Sequence, residues 1–135
     1  MDLAWWKQCW QEVAYTTKAQ RVSVNPMVGN LGVTMISASQ YPVYGNSGAG
    51  AISLAARGGA KRIILLGYDC QHTGGKRHWH EDHPRHMGNA DTKALRLWGA
   101  NFEKLAKDYA HAQIINCSRQ TALQCFERQK LEDVL

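Results

Sequence analysis

Asn46-Ser-Gly-Ala-Gly-Ala-Ile-Ser-Leu-Ala-Ala-Arg-Gly-Gly-Ala-Lys-Arg-Ile-Ile-Leu-Leu-Gly-Tyr-Asp69 is the stretch that decides how this chain is read. It runs from a polar turn through a capped helix and a glycine stop into an apolar strand that ends on glycine and a carboxylate. Asn46 and Ser47 offer side-chain oxygens to the free amides of a helix N-terminus. Gly48 allows close approach at the same place. Ala49, Ile52, Ser53 and Ala56 form a small-residue face that can lie flat on a sheet. Gly58-Gly59 ends the helix, since glycine enters the left-handed conformation at little cost. Ile63 to Leu66 is continuously apolar, as in a strand covered on both faces. Asp69 then stands just past the carboxyl end of that strand, where open α/β sheets hold their ligands. The segment reads either as a nucleotide or sugar site at a helix N-terminus beside Asp69, or as an ordinary helix–strand unit with a surface aspartate.

The flanking sequence supplies the remaining elements. Leu3, Trp6, Trp10 and Val13 recur at three- and four-residue intervals and predict an amphipathic opening helix. The stripe reads as core, with Trp5 off it and exposed. Arg21 to Asn25 alternates like a short strand stopped by Pro26, Gly29-Asn30 and Gly32 mark turns, and Val33 to Ile36 reads as another strand. Ser37 to Gly45 is a polar connection. Beyond Asp69, residues Cys70 to Asn89 contain Gly74-Gly75 and Pro84 without periodicity and form a long loop, of a length that compact domains reserve for function or leave disordered. Leu95, Trp98, Phe102, Leu105 and Tyr109 share one face of a helix beginning near Ala90. Gln113 to Cys117 is the last strand, Thr121 to Phe126 a short helical turn, and Leu131 to Leu135 a tail. Alternation of this kind predicts a mostly parallel sheet with helices on both faces. The expected fold is a single Rossmann-like, three-layer α/β/α domain over residues 1–135. It opens on a helix and lacks the Gly-x-Gly-x-x-Gly phosphate loop of doubly wound domains.

Composition narrows the function classes. The chain has 135 residues and a net charge of +5, which suits an anionic ligand. Its basic residues are dispersed rather than striped and no nucleic-acid motif accompanies them, so nucleic acid is not the expected partner. Cys9, Cys70, Cys117 and Cys125 lack Cys-x-x-Cys spacing, which argues for reduced, mostly buried thiols rather than a zinc ribbon or disulfide framework. No apolar run approaches the roughly 20 residues of a membrane helix. The N-terminus lacks the layout of a signal peptide, so the expected location is cytoplasmic.

The long loop concentrates titratable groups: His72, His78, His80, His83 and His86 with Glu81 and Asp82, followed by Asp91. One reading is a metal site, with His-x-His (His78, His80) joined by Asp82 and His83 as nitrogen and oxygen ligands for zinc or a similar ion. The other is acid–base or phosphate work by one histidine, whose ordinary pKa lies nearest neutrality. His-x-His is a weak metal pattern without a His-Glu-x-x-His helix, and no metal or other cofactor is expected. A solvated loop whose histidines merely adjoin in sequence is the bland third reading.

Taken in order, Asn46-Ser47-Gly48, Gly67-Tyr68-Asp69, the histidine loop, Asn89-Ala90-Asp91-Thr92-Lys93-Ala94-Leu95 and Ile115-Asn116-Cys117-Ser118 resemble the carboxyl half of the bacterial lipooligosaccharide sialyltransferases. A related group includes archaeal pterin pyrophosphokinase-like proteins. The chain is most similar to uncharacterised phage and prophage proteins of that superfamily, over about Gly45 to Leu135. The resemblance implies a nucleotide or nucleotide-sugar bound by Asn46, Ser47, Gly48, Gly67 and Asp69, and sugar transfer to an acceptor hydroxyl without a metal. It places His86 where those enzymes hold their catalytic base, with His83 of the Asp-His-Pro run as a rival. The tyrosines that stabilise the leaving phosphate have no counterpart, so Gln71, His72, Arg77 or His78 would replace them. By the resemblance the chain would start near the family's third strand, with Met1-Asp2 in place of that strand's end, so that either the reading frame begins upstream or the protein is a shortened member without the first strands and glycine turn. The exposed edge this leaves is expected to be covered by self-association or by the Trp5/Trp6 helix. The alternative is a non-catalytic phage accessory or host-interaction protein on the same scaffold, working in the host cytoplasm. A metal-dependent hydrolase using His78, His80, Asp82 and His83 is the weaker alternative.

Overall fold

A computed structural model of the protein describes residues 3–78 and 80–135, and for Arg85 the backbone alone. The expectations that fall on Met1-Asp2 and on the tryptophan after His78 lie outside the described residues. The backbone divides into two compact units, residues 3–42 with 83–88 and residues 43–82 with 89–135.

In the first unit the expected opening helix forms as α1, Leu3–Thr16. Its stripe is shielded but not core: Leu3, Trp6, Trp10 and Val13 are all half-buried, and α1 has no fully buried residue. Tryptophan is large enough that it is seldom wholly enclosed. Trp5 is half-buried too, packed edge-on to Trp6 with ring centroids 5.2 Å apart. The two short strands are β1, Val22–Ser23, and β2, Thr34–Met35, which pair in parallel with Val22 opposite Thr34. Between them the expected turns tighten into a 3₁₀ helix, Pro26–Leu31. Asn25 Oδ1 accepts the Met27 amide at 3.0 Å, and Pro26 has the φ and missing donor that suit a first helical position. Gly32 ends the turn at φ +66°. A second 3₁₀ turn, Arg85–Met87, comes from the long loop.

The second unit is an α/β arrangement on an all-parallel sheet. Helix α2, Ser47–Arg57, leads into β3, Arg62–Leu65; α3, Thr92–Asp108, leads into β4, Gln113–Asn116; and β5, Glu127–Arg128, follows. The sheet order is β3-β4-β5, with Ile63 opposite Ile114 and Ile115 opposite Glu127. The small-residue face of α2 is buried as its pattern requires, at Ala49, Ile52, Ser53 and Ala56. Its end is a Schellman motif, in which the Gly59 amide donates to Ala56 O at 3.1 Å and the Ala60 amide to Ala55 O at 3.0 Å. Gly59 carries the left-handed φ of +95°. Asp91 caps α3, accepting the Ala94 amide at 2.7 Å. Phe102, Leu105 and Tyr109 of α3 close over Ile52, Ile114, Leu123 and Phe126 in one core.

Three expectations are corrected. β3 is not covered on both faces: it stops at Leu65, its first residue is exposed, and Leu66 is 57% exposed. The central strand is β4 instead, with Ile114, Ile115 and Asn116 all buried, because it has a strand on each side. Thr121 to Phe126 is not a helical turn but an irregular crossover that lays β5 parallel to β4. Within it the Leu123 amide donates to Thr121 Oγ1 at 3.1 Å, a local side-chain bond that competes with helix formation. Finally, the four cysteines are free, but only Cys117 is buried and the other three are half-buried. Among the described residues no helix is long and apolar enough to cross a membrane.

Candidate functional site: a cleft at the carboxyl end of β3

The turn after β3 is built by the segment after β4. Gly67 takes φ +72°, which a side chain would strain, and so bends the chain out of the strand. The Tyr68 amide then donates to Ser118 Oγ at 2.7 Å, and the Thr121 hydroxyl donates to Tyr68 O at 2.7 Å. Asn116, wholly buried, accepts the Ser118 amide at 3.0 Å and aims its Nδ2 at Tyr68 O, 3.5 Å away. The Ala122 amide donates to Asp69 O at 2.8 Å. Two stretches far apart in sequence, Gly67-Tyr68-Asp69 and Asn116-Cys117-Ser118, are thereby one clamped structure. Its output is the Asp69 carboxylate, whose Oδ2 accepts the Thr73 hydroxyl at 2.9 Å.

Helix α2 contributes its N-terminus. Asn46, not Ser47, is the cap: its Oδ1 accepts the Ala49 amide at 2.8 Å, whereas Ser47 is the exposed first residue of the helix. The need for Gly48 comes from within the protein. A Cβ there would stand 3.0 Å from Tyr68 Cε1, and the Tyr68 hydroxyl donates to Gly48 O at 3.1 Å.

These elements border a cleft of about 620 Å³ that lies within the second unit. Its polar lining is Asn46, Asp69, Gln71, Thr73, Lys76, Arg77 and His78; its apolar wall is Tyr68, Leu95, Trp98, Phe102 and Leu123. The cationic residues follow a tight turn, Thr73 to Lys76, closed by the Lys76 amide donating to Thr73 O at 3.2 Å around Gly74 and Gly75, both at positive φ. Arg77 pairs with Asp82 at 3.7 Å, both side chains half exposed. His78 Nε2 donates to Asn89 Oδ1 at 2.9 Å, and its ring stacks on that of His80 with centroids 4.9 Å apart. Burial raises the pKa of the Tyr68 phenol and of the Cys70 thiol. Burial thus favours the protonated form of both groups.

Of the residues the sequence singled out, Asn46, Gly48, Gly67, Asp69, Gln71, Arg77 and His78 line this cleft, and Ser47 and His72 do not. His72 Nε2 donates to Ala90 O at 3.1 Å and serves the loop itself. His83 and His86 belong to the first unit, where His86 Nε2 donates to Gln8 Oε1 at 3.0 Å. Of the four residues of the metal reading, His78 and His80 stand together in the second unit with stacked rings, Asp82 pairs with Arg77, and His83 belongs to the first unit. Sequence reasoning missed Tyr68, Lys76, Trp98 and Leu123. Trp98 was in view as part of the α3 stripe, whose N-terminal end lines a cavity rather than the closed core. Leu123 gives no local signal, because only the irregular crossover carries it there.

Comparisons with family models, with curated proteins and with solved structures each find no match.

Proposed function

We propose that the second unit binds a nucleotide or nucleotide-sugar in this cleft. The observation that carries the reading is the convergence of Lys76, Arg77 and His78 with Asp69 around an aromatic and aliphatic wall. Cationic donors match phosphoryl oxygens, and the bond is strengthened when both partners are charged. A carboxylate held by one hydroxyl keeps acceptor capacity for sugar hydroxyls. Aromatic rings such as Trp98 offer a face on which a flat base stacks. The volume falls in the range of about 300–1,000 Å³ that holds ligands of this size.

Sugar transfer to an acceptor hydroxyl is the activity this reading leads to. The cleft would hold the nucleotide, its cationic residues would offset the charge on the departing phosphate, and a loop histidine would take the acceptor's proton.

The test is a thermal-shift and calorimetric panel of CMP, UMP, GMP, AMP and their diphosphates, with and without EDTA. Selective stabilisation by one of them, unaffected by EDTA and lost in Arg77→Ala/Lys76→Ala, supports the reading. A ligand at 100 times its Kd adds about 2.7 kcal/mol, which a melting curve resolves easily. If no nucleotide shifts the transition, the reading is wrong.

A further inference from the structure

We propose that Tyr68 is the positioning residue of the cleft: its hydroxyl ties the N-terminus of α2 to the Gly67–Asp69 turn and so sets the spacing of the two polar rims. The inference rests on the nucleotide-binding reading and adds a residue to it.

Four contacts make the case, and they divide into two kinds. The main chain of Tyr68 is already fixed, through its amide to Ser118 Oγ and its carbonyl from Thr121 Oγ1, both at 2.7 Å. Those bonds hold the turn whatever side chain follows. The side chain acts elsewhere. Its ring packs edge-on to Phe102 with centroids 6.0 Å apart, and its hydroxyl donates to Gly48 O at 3.1 Å, in the first turn of α2. Phenylalanine would satisfy the ring contact equally well, so the hydroxyl is spent solely on Gly48. The fit is reciprocal: a Cβ on Gly48 would meet the Tyr68 ring at 3.0 Å, and any side chain at 48 displaces either the helix end or the ring. Tyr68 and Gly48 both line the cleft, as do their neighbours Asn46 and Asp69. A shift between α2 and the turn therefore moves Asn46 relative to Asp69 across the ligand. A displacement of about 1 Å is enough to spoil such geometry.

A residue that only stabilises the fold would change the melting temperature and leave affinity alone. A positioning residue changes affinity in a protein that stays folded. The experiment measures both quantities for the full chain, with CMP, UMP, GMP, AMP and their diphosphates as probes, in the wild type, Tyr68→Phe, Gly48→Ala and Gly48→Ala/Tyr68→Ala. Tyr68→Phe loses one internal hydrogen bond, so it is expected to melt only a few degrees below wild type, still folded, and to bind about fivefold more weakly. Gly48→Ala is expected to lose more, although alanine is the better helix former. In the double variant the alanine at 48 should add little to the loss caused by removing the ring, since its obstacle has gone. If wild type binds a nucleotide and Tyr68→Phe binds it equally well, the inference fails while the binding reading survives. Independent, additive losses in the Gly48 and Tyr68 variants would overturn it as well. If wild type binds none of the probes, the binding reading fails and this inference falls with it.

Discussion

The second unit encloses Ile52, Leu65, Phe102, Leu105, Tyr109, Ile115, Leu123 and Phe126, among others, whereas the described residues buried in the first unit are Ser23, Val28 and Val33. The first unit holds a parallel pair of strands and one α-helix, the second three parallel strands and two α-helices, and both take part of the histidine loop. They differ in what the helices cover. The face of α2 is made of small residues that let a whole helix press onto its neighbours, so dispersion contacts close on every side. The stripe of α1 carries bulky tryptophans in a unit whose strands are two residues long, and its rings stay half-buried. Amphipathic period alone thus tells which face turns inward, and the amount of surface offered to that face decides whether a core results. The candidate cleft belongs to the enclosed unit, where clamped turns can hold polar groups in fixed positions.

The widest gap between the units should show in core truncation. Leu105→Ala, at a wholly buried position, is expected to cost about 2–5 kcal/mol, and Val13→Ala in α1 about 1 kcal/mol or less. Urea unfolding of the two variants measures this, and equal losses would erase the distinction. Next comes the polar layer beneath α2. Ser53 Oγ and Tyr109 Oη lie 2.7 Å apart out of solvent, with Arg57 Nε donating to the phenol oxygen at 3.2 Å. Tyr109→Phe leaves the serine hydroxyl without that partner and should cost about 1–3 kcal/mol, partly recovered in Ser53→Ala/Tyr109→Phe.

Helix ends give a finer comparison. Asn46→Ala removes the α2 cap and should cost about 1 kcal/mol, whereas Asn46→Asp keeps an oxygen for the Ala49 amide and should cost much less. A melting curve separates the two. In the first unit the exposed Gln8–His86 bond should be worth under about 0.5 kcal/mol, read as the change in Gln8→Ala.

A further expected effect is confined to alkaline pH. Burial is the main cause that lifts the Cys125 thiol from its usual 9.0 to about 11, with Glu103 and Cys70 adding to the rise. The folded state therefore keeps a proton that the unfolded chain releases above pH 9. Stability is unaffected by this group at lower pH and declines as pH rises from 9 to 11. Cys125→Ala should flatten that decline without changing its behaviour at pH 7. An unchanged slope would show that the thiol is more solvated than its half-buried position implies.

Much of the second unit was legible along the chain. A cap oxygen at Asn46-Ser47, the α2 face, the Gly58-Gly59 stop, the α3 stripe and the strand through Ile114 and Ile115 all rest on local rules: 3.6-residue periodicity, a free amide needing an oxygen, and glycine's freedom at positive φ. The errors arose where a residue's fate depends on distant chain. Ile63 to Leu66 reads as a strand covered on both faces, yet β3 stops at Leu65 and leaves Leu66 57% exposed. Thr121 reads as helical, yet its hydroxyl is drawn to Tyr68 O, 53 residues away in sequence. Gly48 was expected to make room at a helix entry, and the room is taken by the Tyr68 ring.

The candidate site divides along the same line. Sequence by itself determined which chemistry is present: an aspartate past a strand end, a capped helix start, a loop rich in histidines and an aromatic helical stripe. Each of these is a property of a few adjacent residues and their backbone preferences. Only the tertiary structure decided that Asn46, Asp69, Arg77 and His78 share a cleft with Trp98, that Ser47 and His72 stand outside its lining, and that Tyr68 joins its rims. Those outcomes depend on hydrogen bonds and ring contacts between segments far apart in sequence, which form only once the sheet and its helices have packed.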